Sequence, residues 1–480
     1  MFQVLTDNVM ACVSIKGVLA VIGGFLINLI LGVLFSFGNI MPYIASYMRE
    51  VAGIPVSYSD FASVNMVFVF TNGFVLAFAP LILIPFVGNK IVLYFSCLCF
   101  SVGPVLARFA MDKSLGLVIL TYGFIQAIGN MALIPTYTIP MRWFPNHRGS
   151  IMGLVTAGYG LSTLALSPIQ ILIVNPDNVS PIKDDSSEDM FFRDPEVLAR
   201  VPTLLITLSI VYAVVLFIAC LFMFEPASES DEAIESSANK DQVDQRQSRE
   251  TIGVKWNRIK ETLIYFKSNI LPCKAYYFIL FTRFAVVICT ISLTTYYKAF
   301  ALTFIQSDFF ITSYVGALSG VSSSMSSIIY GFVLDWVPYK FVVSFMMVIL
   351  GIAIGTLYIT TLLNEIWFVL WMHAIFLNMQ GIFAVIPAKS NEIFGETYGG
   401  VVVGTTALSD IIVTGMIELF GSLLLTGLQI NYLHYFLFVC IGPTIGLFCT
   451  LFLPATEEDQ KRLNRMLCRE EPTQSTMKLT

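Results

Sequence analysis

Twelve apolar stretches divide this chain of 480 residues, and one long charged loop splits them into two groups of six. About twenty consecutive apolar residues make a helix long enough to cross the hydrocarbon core of a bilayer. Spans are expected at 17–41, 60–86, 91–110, 115–139, 149–174, 202–224, 275–297, 310–334, 341–362, 366–388, 399–425 and 432–453. Composition agrees: 56% of residues are hydrophobic and 12% charged, against about 25% charged in soluble domains. The pattern predicts an all-α membrane protein with twelve transmembrane helices in two six-helix bundles. The bundles cover 1–224 and 274–455, joined by a loop at 225–273 and followed by a tail at 456–480. The first stretch is too long for the apolar region of a cleavable signal, so it is expected to stay as span one.

Of the 27 Lys and Arg residues, nineteen fall on the side of the termini and the central loop, seven on the opposite side, and Arg283 inside a span. That excess predicts cytoplasmic termini, in the plasma membrane or an internal membrane. Asn178-Val179-Ser180 is a glycosylation acceptor, and it falls on the opposite side, between spans five and six. None of the nine cysteines lies in an outer loop, so no disulfide framework is expected. Cys97 and Cys99 are too close, and too poor in polar neighbours, for a zinc site.

The loop opens with Glu225-Pro226 and is polar enough to read as a linker in its first half. Residues 252–266 are amphipathic, with Val254, Trp256, Ile259, Leu263 and Phe266 set against Lys255, Arg258 and Lys260. They fit a helix lying on the inner membrane surface, or one that binds a partner. The charged tail reads as solvated.

A charge inside a bilayer costs several kcal/mol unless it is paired or wetted. Arg283 and Asp410 are therefore the sharpest candidates. Arg283 lies about 13 Å into span seven and Asp410 about 16 Å into span eleven, counted from the same side at helical rise. The guanidinium fork suits a substrate carboxylate, with Asp410 as its partner when the site is empty. A permanent structural ion pair is the competing reading. Glu418 could couple a proton or simply be solvated near the span end. His373 could titrate near neutral pH or bond a carbonyl. Gln126 and Asn130 share a face of span four, and Asn28 sits in span one. Such groups line a wet cavity or bond neighbouring helices. Gly149, Gly153 and Ala157 on span five, and Gly316, Gly320 and Ser324 on span eight, form ladders that allow close helix approach.

The halves repeat. Ile139-Pro140-Met141-Arg142 follows span four, and Ile386-Pro387-Ala388-Lys389 follows span ten. Each leads to a Phe and a glycine-rich helix start. Gly331-x-x-x-Asp335, with Lys340, follows span eight, and a copy without the acid, Gly88-Asn89-Lys90, follows span two. The two bundles are therefore expected to be pseudo-symmetric, as in many carriers.

On these residues the chain resembles carriers of the major facilitator superfamily over nearly its full length. Trp143-Phe144, His147-Arg148-Gly149, Gly153 and Ala157-Gly158 resemble the fifth-span signature of the monocarboxylate and oxalate/formate branch. Gly38-Asn39, Pro42-Tyr43 and Tyr296-Tyr297-Lys298-Ala299-Phe300 resemble oxalate/formate-antiporter-like members. The acidic first-span signature of monocarboxylate carriers and the family's arginine in span eight are absent. The resemblance implies a cavity lined by spans one, four, seven and ten. It makes Arg142, Arg148, Asp335, Lys340 and Lys389 gating or anchoring residues, with ion-pair gating where the acid is kept.

No nucleotide-phosphate loop, catalytic constellation, metal cluster or cofactor motif is visible, and nothing suggests a nucleic-acid partner. The chain is expected to be a secondary transporter and not an enzyme. Its cargo is expected to be a small organic anion, a monocarboxylate or short dicarboxylate, moved by exchange or with a proton. A neutral solute, or a transport-inactive sensor or partner protein, are the alternatives. The bilayer is its main partner, and it is expected to be monomeric, with room for an accessory subunit.

Overall fold

The computed structural model describes residues 15–33, 37–183, 190–226, 252–301, 304–305, 314–316, 318–421, 432–452, 456 and 459. Among them, nine helices are long and apolar enough to span a bilayer, and Ile15–Leu31 and Tyr339–Gly355 are shorter apolar helices. One of the nine, Glu365–Ile417, holds spans ten and eleven together. All twelve spans are thereby accounted for. We call the face carrying the central loop the loop side.

Helix ends follow local chemistry. The helix of span two begins at Tyr58, ahead of the expected 60, because Ser57 and Asp60 form a capping box. Span six, Pro195–Phe222, starts on Asp194, whose carboxylate accepts from the N–H groups of Glu196 and Val197. Besides Ile15–Leu31, a second helix, Phe37–Glu50, reaches past the expected end of span one at 41. Span four runs over Leu115–Trp143. The turn from span ten to span eleven falls at Gly395, whose φ of 77° suits a residue without a side chain. The one β element among the described residues is a ribbon pairing Ile182–Lys183 with Met190–Phe191. It folds onto span one, where Phe192 stacks on Tyr43 at 4.4 Å.

Two apolar cores form, one within each half. They interlock at the seam. Val403 and Ala407 of span eleven join the first core, and Met141, Met152 and Val155 of spans four and five join the second. Spans five (Arg148–Val174) and eight (Leu318–Trp336) cross backbone to backbone, as their small-residue ladders predict. A Cβ on Gly149 would sit 2.3 Å from the Gly331 carbonyl oxygen, and one on Gly153 would sit 2.5 Å from that of Ser327. No other side chain fits there.

The amphipathic loop segment forms a helix, Ile252–Tyr265, that widens through Phe266–Ile270. It is not only a membrane-surface helix, because it docks on the protein. Ile259 and Ile270 are buried. Trp256 meets Phe86 at the loop-side end of span two, at 6.3 Å. Tyr265 stacks on Tyr398, at the start of span eleven, at 3.7 Å. One helix thus touches both halves, while Trp256 and Leu263 keep exposed faces.

Candidate functional site

Span seven, Lys274–Ala301, and span eleven bring Arg283 and Asp410 together. Arg283 donates from Nε to Asp410 Oδ1 at 2.9 Å and from a terminal nitrogen to Oδ2 at 2.7 Å. Two parallel, charge-assisted bonds make this the strong form of the interaction. Ser409 donates a further bond, at 3.3 Å, to Asp410 Oδ1. Asp410 sits in the first turn of the helix Leu408–Gly421, where the helix dipole favours a negative charge. Phe383 lies 5.7 Å from the guanidinium carbon.

The pair forms part of the wall of a cavity of about 150 Å³. Spans two, four, five, seven, ten and eleven contribute to this wall. No described residue of span one does, contrary to the lining implied by resemblance. The backbone is irregular where it borders the cavity. Span ten breaks at Gln380–Gly381, and span four winds through a wide turn at Ile119–Ile125 and a tight one at Gly129–Ala132. Leu133 and Gln380, beside these breaks, both line the cavity.

The other predicted polar residues point elsewhere. Gln126 is fully buried, and a Cβ on Gly103 of span three would lie 2.6 Å from its own Cβ. Asn130 is 1% exposed and is not on the cavity wall. Asn28 donates to the Gly24 carbonyl at 2.8 Å and to the Thr136 hydroxyl at 3.3 Å, tying span one to span four. His373 is held between the Ser322 hydroxyl and the Tyr314 carbonyl, each at 2.9 Å, bridging spans eight and ten. The cause is common to these four: helical spacing places them on one face without saying which neighbour that face meets. The side chain of Glu418 lies outside the described residues.

On the loop side Asp335 accepts from the N–H groups of Gly149 and Ser150, both at 2.8 Å, and from the Ser150 hydroxyl at 2.5 Å. It caps the start of span five across the two halves. It does not pair with Lys340, which donates to the Leu451 carbonyl at 2.9 Å. Arg142 and Arg148 meet Glu396 at 3.7 and 3.3 Å. Lys389 is fully buried and bonds Asp459 at 2.6 Å, with Glu392 and Thr456 beside it. Asp459 also accepts from the N–H of Tyr339, so the tail is not solvated at this point. Burial pushes the Asp459 carboxyl up, but the Lys389 ammonium and the backbone N–H bonds prevail and hold it below the usual carboxylate range.

Sequence reasoning missed Tyr137, Thr156, Tyr159 and Gln380, all on the cavity wall. A tyrosine or threonine in a span is ordinary, so neither stands out. Gln380 was signalled only by its place just before Gly381, where a helix is weakest. Glu396 and Asp459 carried no signal of their own, because they follow span ends, where charge is expected.

A sequence profile of the Major Facilitator Superfamily matches residues 24–409. Apicoplast pyruvate carrier 1 of Toxoplasma gondii is 28% identical over 44% of this chain and 46% of that protein. The chain thus spans less than half the length of this curated relative. The structure resembles that of the proton:xylose symporter XylE bound to 6-bromo-6-deoxy-D-glucose, at a TM-score of 0.62 and 13% identity, covering 92% of this chain and 98% of that one. It also resembles the E. coli fucose:proton symporter FucP, at 0.61 and 14%, covering 91% and 98%. These likenesses show a shared fold of two six-helix bundles, and with the profile they make this chain a multi-pass membrane transporter belonging to the major facilitator superfamily.

Proposed function

We propose that the protein moves a small carboxylate across its membrane by alternating access, with Arg283 as the anion seat. The carrying observation is the bidentate Arg283–Asp410 pair on the wall of a cavity between the halves. The same two bonds that Asp410 makes are those a substrate carboxylate would make. Asp410 therefore keeps the guanidinium satisfied in the empty site, and an arriving anion exchanges with it. A displaced Asp410 can take up a proton, or remain charged in an exchange cycle. The relative named as a pyruvate carrier supports a small organic acid as cargo. The neutral-solute alternative has one observation in its favour: the pair is already neutral as a unit, leaving a cavity without net charge.

In this reading the loop side is cytoplasmic. The protein works as a monomer in the bilayer, with the anion and a proton or second anion as its partners. Asp335, Arg142 and Arg148 hold the loop side shut, Lys340 and Lys389 anchor helix ends within the second half, and exposed Asn178 faces the opposite compartment. The test is uptake into proteoliposomes of labelled formate, oxalate, lactate and pyruvate, with and without a pH gradient. At least one acid should accumulate, and Arg283→Gln should abolish that uptake while membrane insertion persists. Inactivity toward all four acids would turn the assignment to a neutral solute.

A further inference from the structure

The helix that touches both halves has a second face. On the docked side Ile259 is buried, Lys255 lies 5.7 Å from the centre of the Phe86 ring, and Tyr265 stacks on Tyr398. Trp256, Lys260, Leu263 and Lys267 recur at intervals of four, three and four residues, which puts them along one side of a helix. All four are exposed, and Ile264 beside them is 64% exposed. The helix ends at Ile270, and span seven starts at Lys274. Four residues of chain reach at most about 14 Å. The helix also rests on the loop-side ends of spans two and eleven. It is thereby held within reach of the lipid headgroups. We propose that this outward face binds anionic lipid of the loop-side leaflet. Lys260 and Lys267 seat the headgroup charge, and Trp256, Leu263 and Ile264 enter among the upper acyl carbons.

Four residues of 252–270 are basic and one, Glu261, is acidic. Glu261 lies within electrostatic reach of Tyr398, where the helix meets span eleven. Lys90 and Lys274, at neighbouring span ends, are exposed as well and extend the positive surface. Each Lys or Arg held near an anionic leaflet strengthens attachment about fivefold. The mixture of residue types favours lipid over a protein partner. Lysine is depleted from the buried centres of protein interfaces, yet here two lysines alternate with the apolar side chains. At a membrane surface that alternation is favourable, because a lysine stem covers apolar surface while its ammonium stays in water. An indole ring likewise joins an apolar body to a polar N–H. Tyr265 lies on the opposite side of the helix from this stripe, so lipid binding and the stack on Tyr398 coexist.

The test uses the full chain in phosphatidylcholine nanodiscs. About one-fifth of the lipid is replaced by phosphatidylserine, or by further phosphatidylcholine, brominated on its acyl chains. Bromine quenches nearby indole fluorescence, and subtracting the signal of Trp256→Phe isolates Trp256 from the other tryptophans. The brominated anionic lipid should quench Trp256 at least about twofold more strongly than the brominated zwitterionic lipid, and high salt should narrow the difference. In Lys260→Gln/Lys267→Gln, which leaves the docked side untouched, the ratio should fall toward one. Equal quenching by the two lipids in the unmodified protein would mean membrane contact without headgroup recognition, and would overturn the proposal. An undiminished preference in the double variant would overturn it too, by placing the lipid site elsewhere. Quenching by neither lipid would turn this face away from the membrane and assign it to a protein partner.

Discussion

At the residue scale, a guanidinium and a carboxylate held fork to fork inside a membrane protein admit two explanations, a brace or a site. Energetics separates them. Removing one member of a buried pair leaves the other charge uncompensated and costs about 3–5 kcal/mol, whereas replacing both with apolar groups of similar volume is often neutral. Asp410→Asn alone should therefore lower the unfolding midpoint in detergent markedly. The double variant Arg283→Met/Asp410→Leu should recover most of that loss yet fail to accumulate any acid. Thermal unfolding and uptake on the same preparations read both quantities. Full stability together with intact uptake in the double variant would reduce the pair to a brace. The two charges were readable in the sequence because each interrupts an apolar span, and charge is what a bilayer penalises most. Gln126, Asn130, Asn28 and His373 were readable as polar but not as to place. The neighbours that place most of them are far away in sequence: Thr136 for Asn28, Gly103 for Gln126, and Ser322 and Tyr314 for His373.

At the element scale, the contact that most firmly joins the two halves on the loop side is a helix cap. Asp335, at the end of span eight, satisfies the first N–H groups of span five, which otherwise have no partner within their own helix. A hydrogen bond to a charged group contributes about 1.5–3 kcal/mol. The pairs that Arg142 and Arg148 make with Glu396 are half-exposed, and such pairs contribute about 0–1 kcal/mol. Closure of this side therefore depends more on Asp335 than on the arginines. Asp335→Asn keeps the shape and removes the charge. In a background where Asn391→Cys supplies the only thiol, a membrane-impermeant maleimide applied from the loop side should label the variant about tenfold faster, as expected for a loss near 1.4 kcal/mol. Equal labelling rates would assign closure to other contacts. The motif Gly331-x-x-x-Asp335 marked this residue in the sequence. Its partner was not readable, because the resemblance suggested an ion pair while the acid in fact meets backbone N–H groups of the other half.

At the scale of the whole molecule, two bundles must part on one side as they close on the other, and the repeat of Ile-Pro and glycine motifs made that pseudo-symmetry readable before any coordinates. The central loop breaks the symmetry, since it occurs once. Its amphipathic pattern predicted a helix correctly, but a hydrophobic stripe does not say whether lipid or protein covers it. Here protein covers part of it at both ends: Phe86 of the first half against Trp256, and Tyr398 of the second against Tyr265. Spans two and eleven already touch deeper in the membrane, where a Cβ on Gly404 would lie 2.1 Å from the Leu76 carbonyl oxygen. Their loop-side ends cannot separate unless the bridging helix releases one of its anchors. The stacked tyrosine pair is the tighter of the two contacts, and aromatic pairs contribute about 0.5–1.5 kcal/mol beyond area burial. Tyr398→Ala should therefore raise the loop-side-open population by about twofold to tenfold. Spin labels at the loop-side ends of spans two and eleven should show a single short distance in the unmodified protein. A second, longer distance should appear in the variant. The same distance distribution in both proteins would mean that the bridging helix rides with one half and leaves the other free to rock.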